Sequence, residues 1–177
     1  MNTPDRGWTL VEALVVVSIG ALLLGQALPA LSSFLSRRQL EGLSMQLQAD
    51  MHEWRARSVA SGQGLRLSLP TTPAGGSCYV VHTGDADACT CTDTGQAVCQ
   101  SGTLRLRSVF MPDTPRVQLS ANVKSLRVDP RQGTVSPAGS LDLSNADGSL
   151  RLRHVVNIMG RVRVCMAAGK MSGVPAC

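Results

Sequence analysis

The sequence predicts an α+β fold in which a long N-terminal helix, first transmembrane and then amphipathic, packs on an antiparallel β-sheet domain. The first observation is an apolar run over residues 8–31, followed by apolar positions at intervals of three and four up to residue 62. That spacing is the period of a helix. The second observation is a series of short alternating runs from residue 65 onward, separated by turn residues, which is typical of strands.

The apolar run over residues 8–31 carries one charged side chain, Glu12. As a helix it would be roughly 36 Å long at about 1.5 Å per residue, which is enough to cross the apolar core of a bilayer. Pro29 lies inside the run and is expected to kink the helix or to open its hydrogen bonding locally. We therefore expect residues 8–31 to span a membrane.

The amphipathic half of the helix covers residues 32–62. Its apolar stripe consists of Leu40, Leu43, Leu47, Met51 and Trp54. Gly62 and Gly64 are expected to end the helix. The stripe predicts that this half packs on the domain that follows.

Residues 63–177 are predicted to form a β-rich extracytoplasmic domain. Its expected strands are 65–69, 78–82, 104–110, 116–120, 123–128, 141–143, 150–158 and 161–165. Turn signals such as Asp129-Pro130 and Ser136-Pro137 separate them. Short connections without further helices favour an antiparallel sheet.

All six cysteines lie in this domain: Cys78, Cys89, Cys91, Cys99, Cys165 and Cys177. An even number in a small exported domain favours disulfides formed in an oxidising compartment. Because the first four cluster together, Cys165 is expected to pair with Cys177 and to close the C-terminus. Cys89 and Cys91 are too close to pair comfortably with each other, so each is expected to reach Cys78 or Cys99. No CxxC pair indicates a zinc site, and neither a metal nor a cofactor is expected.

Charge is distributed unevenly along the chain. Residues 70–103 hold three Asp and no Lys or Arg, which gives a net charge of −3. Residues 104–177 hold eleven Lys or Arg against four Asp and no Glu, which gives +7. A basic C-terminal third favours an anionic partner.

The N-terminal motif is Gly7-Trp8-Thr9-Leu10-Val11-Glu12. A secretory signal peptide is the alternative, but the start has only Arg6 as a basic residue and residues 28–30 are a poor cleavage site. The motif resembles the class III leader of type IV pilins and pseudopilins, in which a short leader ends in Gly before the apolar run. This resemblance implies that a prepilin peptidase cuts between Gly7 and Trp8 and removes residues 1–7 as a leader peptide.

The same resemblance assigns roles to the mature N-terminus. It implies that Glu12 pairs with the N-terminus of a neighbouring pilin during assembly, and that the helix partly unwinds at Pro29 inside the filament. A carboxylate in an apolar membrane helix costs about 2.5–3.5 kcal/mol, which favours such a partner. Trp8 replaces the usual Phe and leaves N-methylation open. The implied location is the bacterial inner membrane, with a periplasmic C-terminal domain, and then the pilus at the cell surface.

Two segments near the C-terminus alternate arginine with aliphatic residues, so that at strand period the arginines of each segment share one face. They are Arg151 and Arg153 in the first segment, and Arg161 and Arg163 in the second. If the segments pair as a hairpin across residues 157–160, four guanidinium groups gather on one patch. Like charges so placed are unfavourable unless an anion binds them. The alternative is a solvated outer face of the sheet.

The element Gly160-Arg161-Val162-Arg163, together with the leader and the strand-rich domain, resembles the FimT branch of the GspH/FimT minor pilin family. FimT-like proteins carry a GRxR element near the C-terminus and are linked to DNA capture in natural transformation. The resemblance implies that Arg161 and Arg163 contact DNA phosphates. Gly160 would let the chain approach the DNA backbone closely. The residues expected to widen the patch are Arg151, Arg153 and Lys170.

Three functions stay open at this point: a minor type IV pilin that binds DNA for uptake, a structural minor pilin that primes pilus assembly, or a GspH-like pseudopilin of type II secretion. Each implies other pilins as partners through the N-terminal helix. No catalytic arrangement is evident, and His52, His82 and His154 have no sequence partner that would make them general bases. The chain is predicted not to be an enzyme.

Overall fold

The computed structural model describes residues 9–70, 72, 75–112 and 117–177, without the side chains of residues 26–30. The chain divides into two compact units, Met1–Ser36 and Arg37–Cys177. Helix α1 spans Leu10–Ser61. The strands are β1 (Arg66–Ser68), β2 (Ser77–His82), β3 (Cys89–Cys91), β4 (Ala97–Cys99), β5 (Arg105–Met111), β6 (Val117–Ala121), β7 (Ser125–Val128), β8 (Val135–Ser136), β9 (Gly139–Asn145), β10 (Arg151–Val156) and β11 (Val162–Ala168).

The first unit consists, in its described part, of the N-terminal portion of α1. Thr9 caps the helix, because its Oγ1 accepts the backbone N–H of Glu12 at 3.3 Å. Its large apolar side chains are exposed, among them Leu10, Leu14 and Leu22. Within the described residues, no helix combines the length and the apolar character needed to cross a membrane. The transmembrane assignment of residues 8–31 therefore stays a prediction.

The second unit contains the rest of α1, whose apolar stripe is buried as expected. Leu40, Leu47, Met51 and Trp54 each expose 3% or less of their surface, and Leu43 packs against them while partly exposed. The helix ends at Ser61, and Gly62 follows with φ of 66°. That left-handed conformation is readily adopted only by glycine, which explains the stop.

Three sheets make up the strand region of the second unit. Their strand orders are β5-β2-β1-β7-β8, β11-β10-β9-β6 and β3-β4. Every pairing between these strands is antiparallel, which confirms the α+β, antiparallel prediction. The hairpin β3–β4 and the two-residue strand β8 are not among the predicted strands.

Polar contacts join α1 to both larger sheets. Asp50 on the helix accepts hydrogen bonds from the Tyr79 hydroxyl at 2.6 Å and from Arg107 Nε at 2.7 Å. Burial, and then the hydrogen bond to Asp50, raise the pKa of Tyr79. On the other side, Ser44 Oγ lies 3.1 Å from His154 Nε2 in β10. The strand that bears two of the predicted site arginines is therefore fixed to the helix.

Candidate nucleic-acid interface

Strands β10 and β11 pair as the predicted hairpin. Val155 lies opposite Arg163, and Arg153 lies opposite Cys165. Leu152, His154 and Val156 of β10 are buried, whereas the residues between them point outward. Strand alternation thus places Arg151, Arg153 and Arg163 on the outer face of the sheet, as expected, and Arg161 is exposed directly before β11.

Three of these arginines, Arg151, Arg161 and Arg163, are exposed. Within the described residues, none of the three makes an ion pair with a carboxylate. Arg151 lies opposite Ala168, and Lys170 follows that end of β11. Arg161 and Lys170 are therefore at opposite ends of the strand, about 20 Å or more apart at roughly 3.3 Å per residue.

Arg153 differs from the other three. Its Nε and Nη2 donate to the two carboxylate oxygens of Asp142 in β9, at 2.8 and 2.7 Å. This hydrogen bonding raises the pKa of the Arg153 guanidinium. A bidentate pair of this kind satisfies the charge within the protein, so Arg153 contributes little free positive charge to the patch.

Gly160 does not occupy the position expected for it. It is buried, with φ of 73°, and a Cβ placed on it would lie 2.5 Å from Arg55 Nε. The expectation that Gly160 contacts an approaching DNA backbone is therefore corrected. A glycine is required here because the backbone is left-handed and because the Arg55 side chain fills the space of a Cβ.

The turn between the two strands fixes the start of β11. Gly160 N–H donates to the carbonyl of Asn157 at 2.9 Å, and Arg161 N–H donates to Asn157 Oδ1 at 2.9 Å. Val135 N–H donates to the carbonyl of Ile158 at 2.8 Å and ties the turn to β8. The turn is therefore fixed by hydrogen bonds within itself and to β8, and the backbone of Arg161 is fixed with it.

An open groove lies beside this turn, and sequence reasoning missed it. It is lined by His52, Arg55, Ala56, Val59, Ala60, Arg131, Gln132 and Gly133. Arg55 belongs to α1, and Arg131 to the loop between β7 and β8. No sequence spacing could have joined them, because 75 residues separate the two.

The residues of the N-terminal motif are only partly covered by the structure. Gly7, Trp8 and the side chain of Pro29 lie outside the described residues. The backbone of α1 is helical throughout the segment that contains Pro29. Glu12 is exposed in the first turn of α1, where a negative charge is favourable to the helix dipole. Leader cleavage and the pairing of Glu12 stay predictions.

The six cysteines form three disulfides, Cys78–Cys91, Cys89–Cys99 and Cys165–Cys177. The last pair is the one predicted. Cys89 and Cys91 each pair with one of the two expected partners, and the structure supplies the choice that the sequence left open. Cys165–Cys177 holds the C-terminal residues along β11, where Cys177 N–H donates to the carbonyl of Met166.

Two of the three histidines have structural partners. His82 is buried and its Nε2 lies 2.8 Å from Ser68 Oγ. Burial, and then the charge of Arg66, lower the pKa of His82. Burial also lowers the pKa of His154, which lies against Ser44. Both side chains therefore favour the neutral form.

Comparison with known proteins places this geometry in a family context. A family model described as type II transport protein GspH matches residues 43–160. The match covers two thirds of the chain and ends at Gly160, directly before Arg161. No curated protein and no solved structure matches the chain.

Proposed function

Since this chain belongs to the family of type II transport protein GspH, we propose that it is a minor pilin that binds DNA for uptake in natural transformation. Membership of the family makes the chain a component of the pilin and pseudopilin type. The proposal adds the ligand, DNA, and assigns its recognition to the outer face of the β10–β11 hairpin.

The observation that carries this proposal is the exposure of Arg161 and Arg163 where β11 begins, without a carboxylate partner among the described residues. Some arginines elsewhere in the chain do have a carboxylate partner, and these are Arg37, Arg38, Arg57, Arg107 and Arg153. Neighbouring like charges on a sheet repel each other unless an anion lies between them. A row of phosphates supplies such anions at regular intervals.

The expected mode of binding is contact with the phosphate backbone. Arg161 and Arg163 donate to phosphate oxygens, and Arg151 extends the charged face along β10. Base stacking has no support in the sheet domain, because Tyr79 is buried with its hydroxyl on Asp50 and Phe110 packs on the cluster of Cys78 and Cys89. Binding without base contacts is independent of sequence and weakens with salt.

The N-terminal portion of α1 is the part through which we expect the subunit to assemble. Its exposed apolar side chains are suited to contact the helices of other pilins, or lipid before assembly. In this proposal a prepilin peptidase cuts between Gly7 and Trp8, and Glu12 then pairs with the N-terminus of a neighbouring subunit. The protein would wait in the bacterial inner membrane and move into a pilus.

A second candidate function is a pseudopilin of type II secretion, and the description of the matching family favours it. The matched residues stop at Gly160, so Arg161 and Arg163 are not part of the match. In this alternative the outer face of the hairpin would contact other pseudopilins or cargo. The third possibility is a structural minor pilin that primes pilus assembly. It differs from the other two functions because its loss is expected to change piliation alone.

A gel-shift experiment with the full chain in a nonionic detergent tests DNA binding. The test variant is Arg161→Ala/Arg163→Ala, and the control is Arg57→Ala/Arg105→Ala, which removes the same charge from α1 and β5. The proposal expects the wild type and the control to retain DNA while the test variant loses it. Equal retention by all three proteins would reject the proposal.

The same variants in cells separate the three functions. Loss of transformation with pili intact selects the DNA-binding minor pilin. Loss of pili selects the structural role, and loss of protein secretion with transformation unchanged selects the pseudopilin of type II secretion.

A further inference from the structure

We propose that the DNA-binding surface continues from the β10–β11 hairpin into the groove beside it, where Arg55 and Arg131 bind phosphate, and that Gly160 positions Arg55. This inference rests on the proposed DNA binding and extends it to a second element, the helix. It also gives the glycine of the GRVR element a physical role.

Arg55 is held in place by its surroundings. Its Nε donates to the carbonyl of Gly133 at 2.8 Å. Gly133 and Gly160, with φ of 64° and 73°, lie on either side of its side chain. A Cβ on Gly133 would come 3.3 Å from Arg55 Nη2, and one on Gly160 would come 2.5 Å from Nε. Because glycine has no side chain, these two residues leave room for the side chain of Arg55.

The terminal nitrogens of Arg55 are available for a ligand. The side chain is half-buried, and within the described residues it makes neither an ion pair nor any hydrogen bond besides the one from Nε. A guanidinium carries five N–H donors, so four are left over. These four donors are not used by the protein and can bind the oxygens of an anion.

The groove contains a second cation and no carboxylate. Arg131 is exposed on the loop between β7 and β8 and lines the groove with Arg55. The nearest acid in sequence is Asp129, whose Oδ1 accepts the backbone N–H groups of Arg131 and Gln132. These hydrogen bonds lower the pKa of Asp129 and use its carboxylate to fix the loop. Asp129 stays ionised and offsets part of the charge of Arg131, while the lining of the groove itself holds two cations, Arg55 and Arg131, and no carboxylate.

The groove lies next to the turn of the β10–β11 hairpin. Gly160 touches Arg55 and is followed in the chain by Arg161, so the two arginines are neighbours across this glycine. In this proposal a phosphate backbone that lies on Arg163 and Arg161 continues past the turn at Gly160 to Arg55. This continuity favours DNA over a small anion, because a small anion would occupy only one end.

The decisive experiment measures the DNA affinity of the full chain, in detergent, as a function of salt. Arg55→Ala and Arg131→Ala are each expected to shallow the slope of log affinity against log salt by about 0.9. Arg57→Ala, on the same helix and paired with Glu53, is the control and should keep the wild-type slope. Arg131 is exposed, so its variant reports on binding even if Arg55→Ala fails to fold.

A double-mutant cycle tests the role of Gly160. Gly160→Ala is expected to weaken DNA binding in the wild type and to have no further effect on affinity in the Arg55→Ala background. Gly148→Ala is the matched control, because Gly148 has φ of 70° but no atom within 4 Å of its Cβ position. It carries similar backbone strain without touching Arg55 and should leave the salt slope unchanged.

The outcomes separate this inference from the proposed function. If Arg55→Ala and Arg131→Ala both keep the wild-type slope while Arg161→Ala/Arg163→Ala reduces it, the groove does not bind DNA. DNA binding by the hairpin would then stand. If only the groove variants, Arg55→Ala and Arg131→Ala, reduce the slope, DNA binding by the groove would stand and DNA binding by the hairpin would be rejected. Additive effects of Gly160→Ala and Arg55→Ala would overturn the positioning role.

Discussion

Arg153 in β10 and Asp142 in β9 lie directly opposite each other and form two hydrogen bonds, 2.8 and 2.7 Å long. The pair lies on the same outer face as Arg163, whose register partner Val155 is two residues beyond Arg153. One arginine of the predicted patch is thus neutralised by the protein itself, while the others are left for a ligand.

Removal of the Asp142 charge should strengthen DNA binding. In Asp142→Asn, Arg153 loses its carboxylate and becomes a further cation for phosphate, so the salt slope should steepen by up to about one unit. Asp87→Asn is the control, since it removes an exposed negative charge from the loop between β2 and β3. Equal slopes for Asp142→Asn and wild type would contradict the assignment of this face to DNA.

Stability of the sheet domain should fall in mild acid. His82 and His154 have lowered pKa values in the folded protein, so the unfolded chain binds more protons below its own histidine pKa of about 6.5. Their contribution is complete above that pH and is lost as the pH falls through the folded values. The loss is at most about 1.4 kcal/mol per pH unit for each histidine.

Urea unfolding between pH 7.5 and 5 measures this dependence. His154→Gln should reduce stability at neutral pH but flatten its decline in acid. His52→Gln, at an exposed position, should keep the wild-type decline. A decline of the same steepness in His154→Gln would show that other groups cause it.

The contact between Tyr79 and Asp50 should be a strong link between helix and sheet. Tyr79→Phe removes a hydrogen bond to a buried carboxylate, and we expect a loss of about 2 kcal/mol in the free energy of unfolding. Arg57→Ala breaks an exposed ion pair with Glu53 and should cost less than about 1 kcal/mol. Equal losses in the two variants would contradict the buried network.

The disulfide Cys165–Cys177 should stabilise the sheet domain without being needed for DNA binding. Its removal in Cys165→Ala/Cys177→Ala should lower the free energy of unfolding by about 2–4 kcal/mol. The salt slope at a temperature where the variant is folded should stay at the wild-type value, because Arg161 and Arg163 precede Cys165 in the chain and lie outside the segment that the disulfide closes. A changed slope would place the C-terminal residues in the DNA-binding surface.

The helix stripe, the antiparallel sheet and the β10–β11 hairpin could be predicted because each depends on local periodicity. Leu40 to Trp54 repeat at helical spacing, and Arg151 and Arg153 alternate with buried residues at strand spacing. The hairpin β3–β4 was missed because its short strands, Cys89–Cys91 and Ala97–Cys99, are held by disulfides rather than by an apolar pattern.

The environment of the site could not be predicted in the same way. The pairing of Arg153 with Asp142 depends on strand register, and the contact of Gly160 with Arg55 joins residues 105 positions apart. The sequence identified GRVR as an element, yet the reason for its glycine lies in the helix. Such long-range contacts leave no periodic signal.

The proposed function depends on contact of Arg161 and Arg163 with the phosphate backbone of DNA. It is tested most directly by the slope of log affinity against log salt for double-stranded DNA, in wild type and in Arg161→Ala/Arg163→Ala. The double variant should lose affinity, and its slope should be shallower by about two units. An unchanged affinity and slope in the double variant would contradict it.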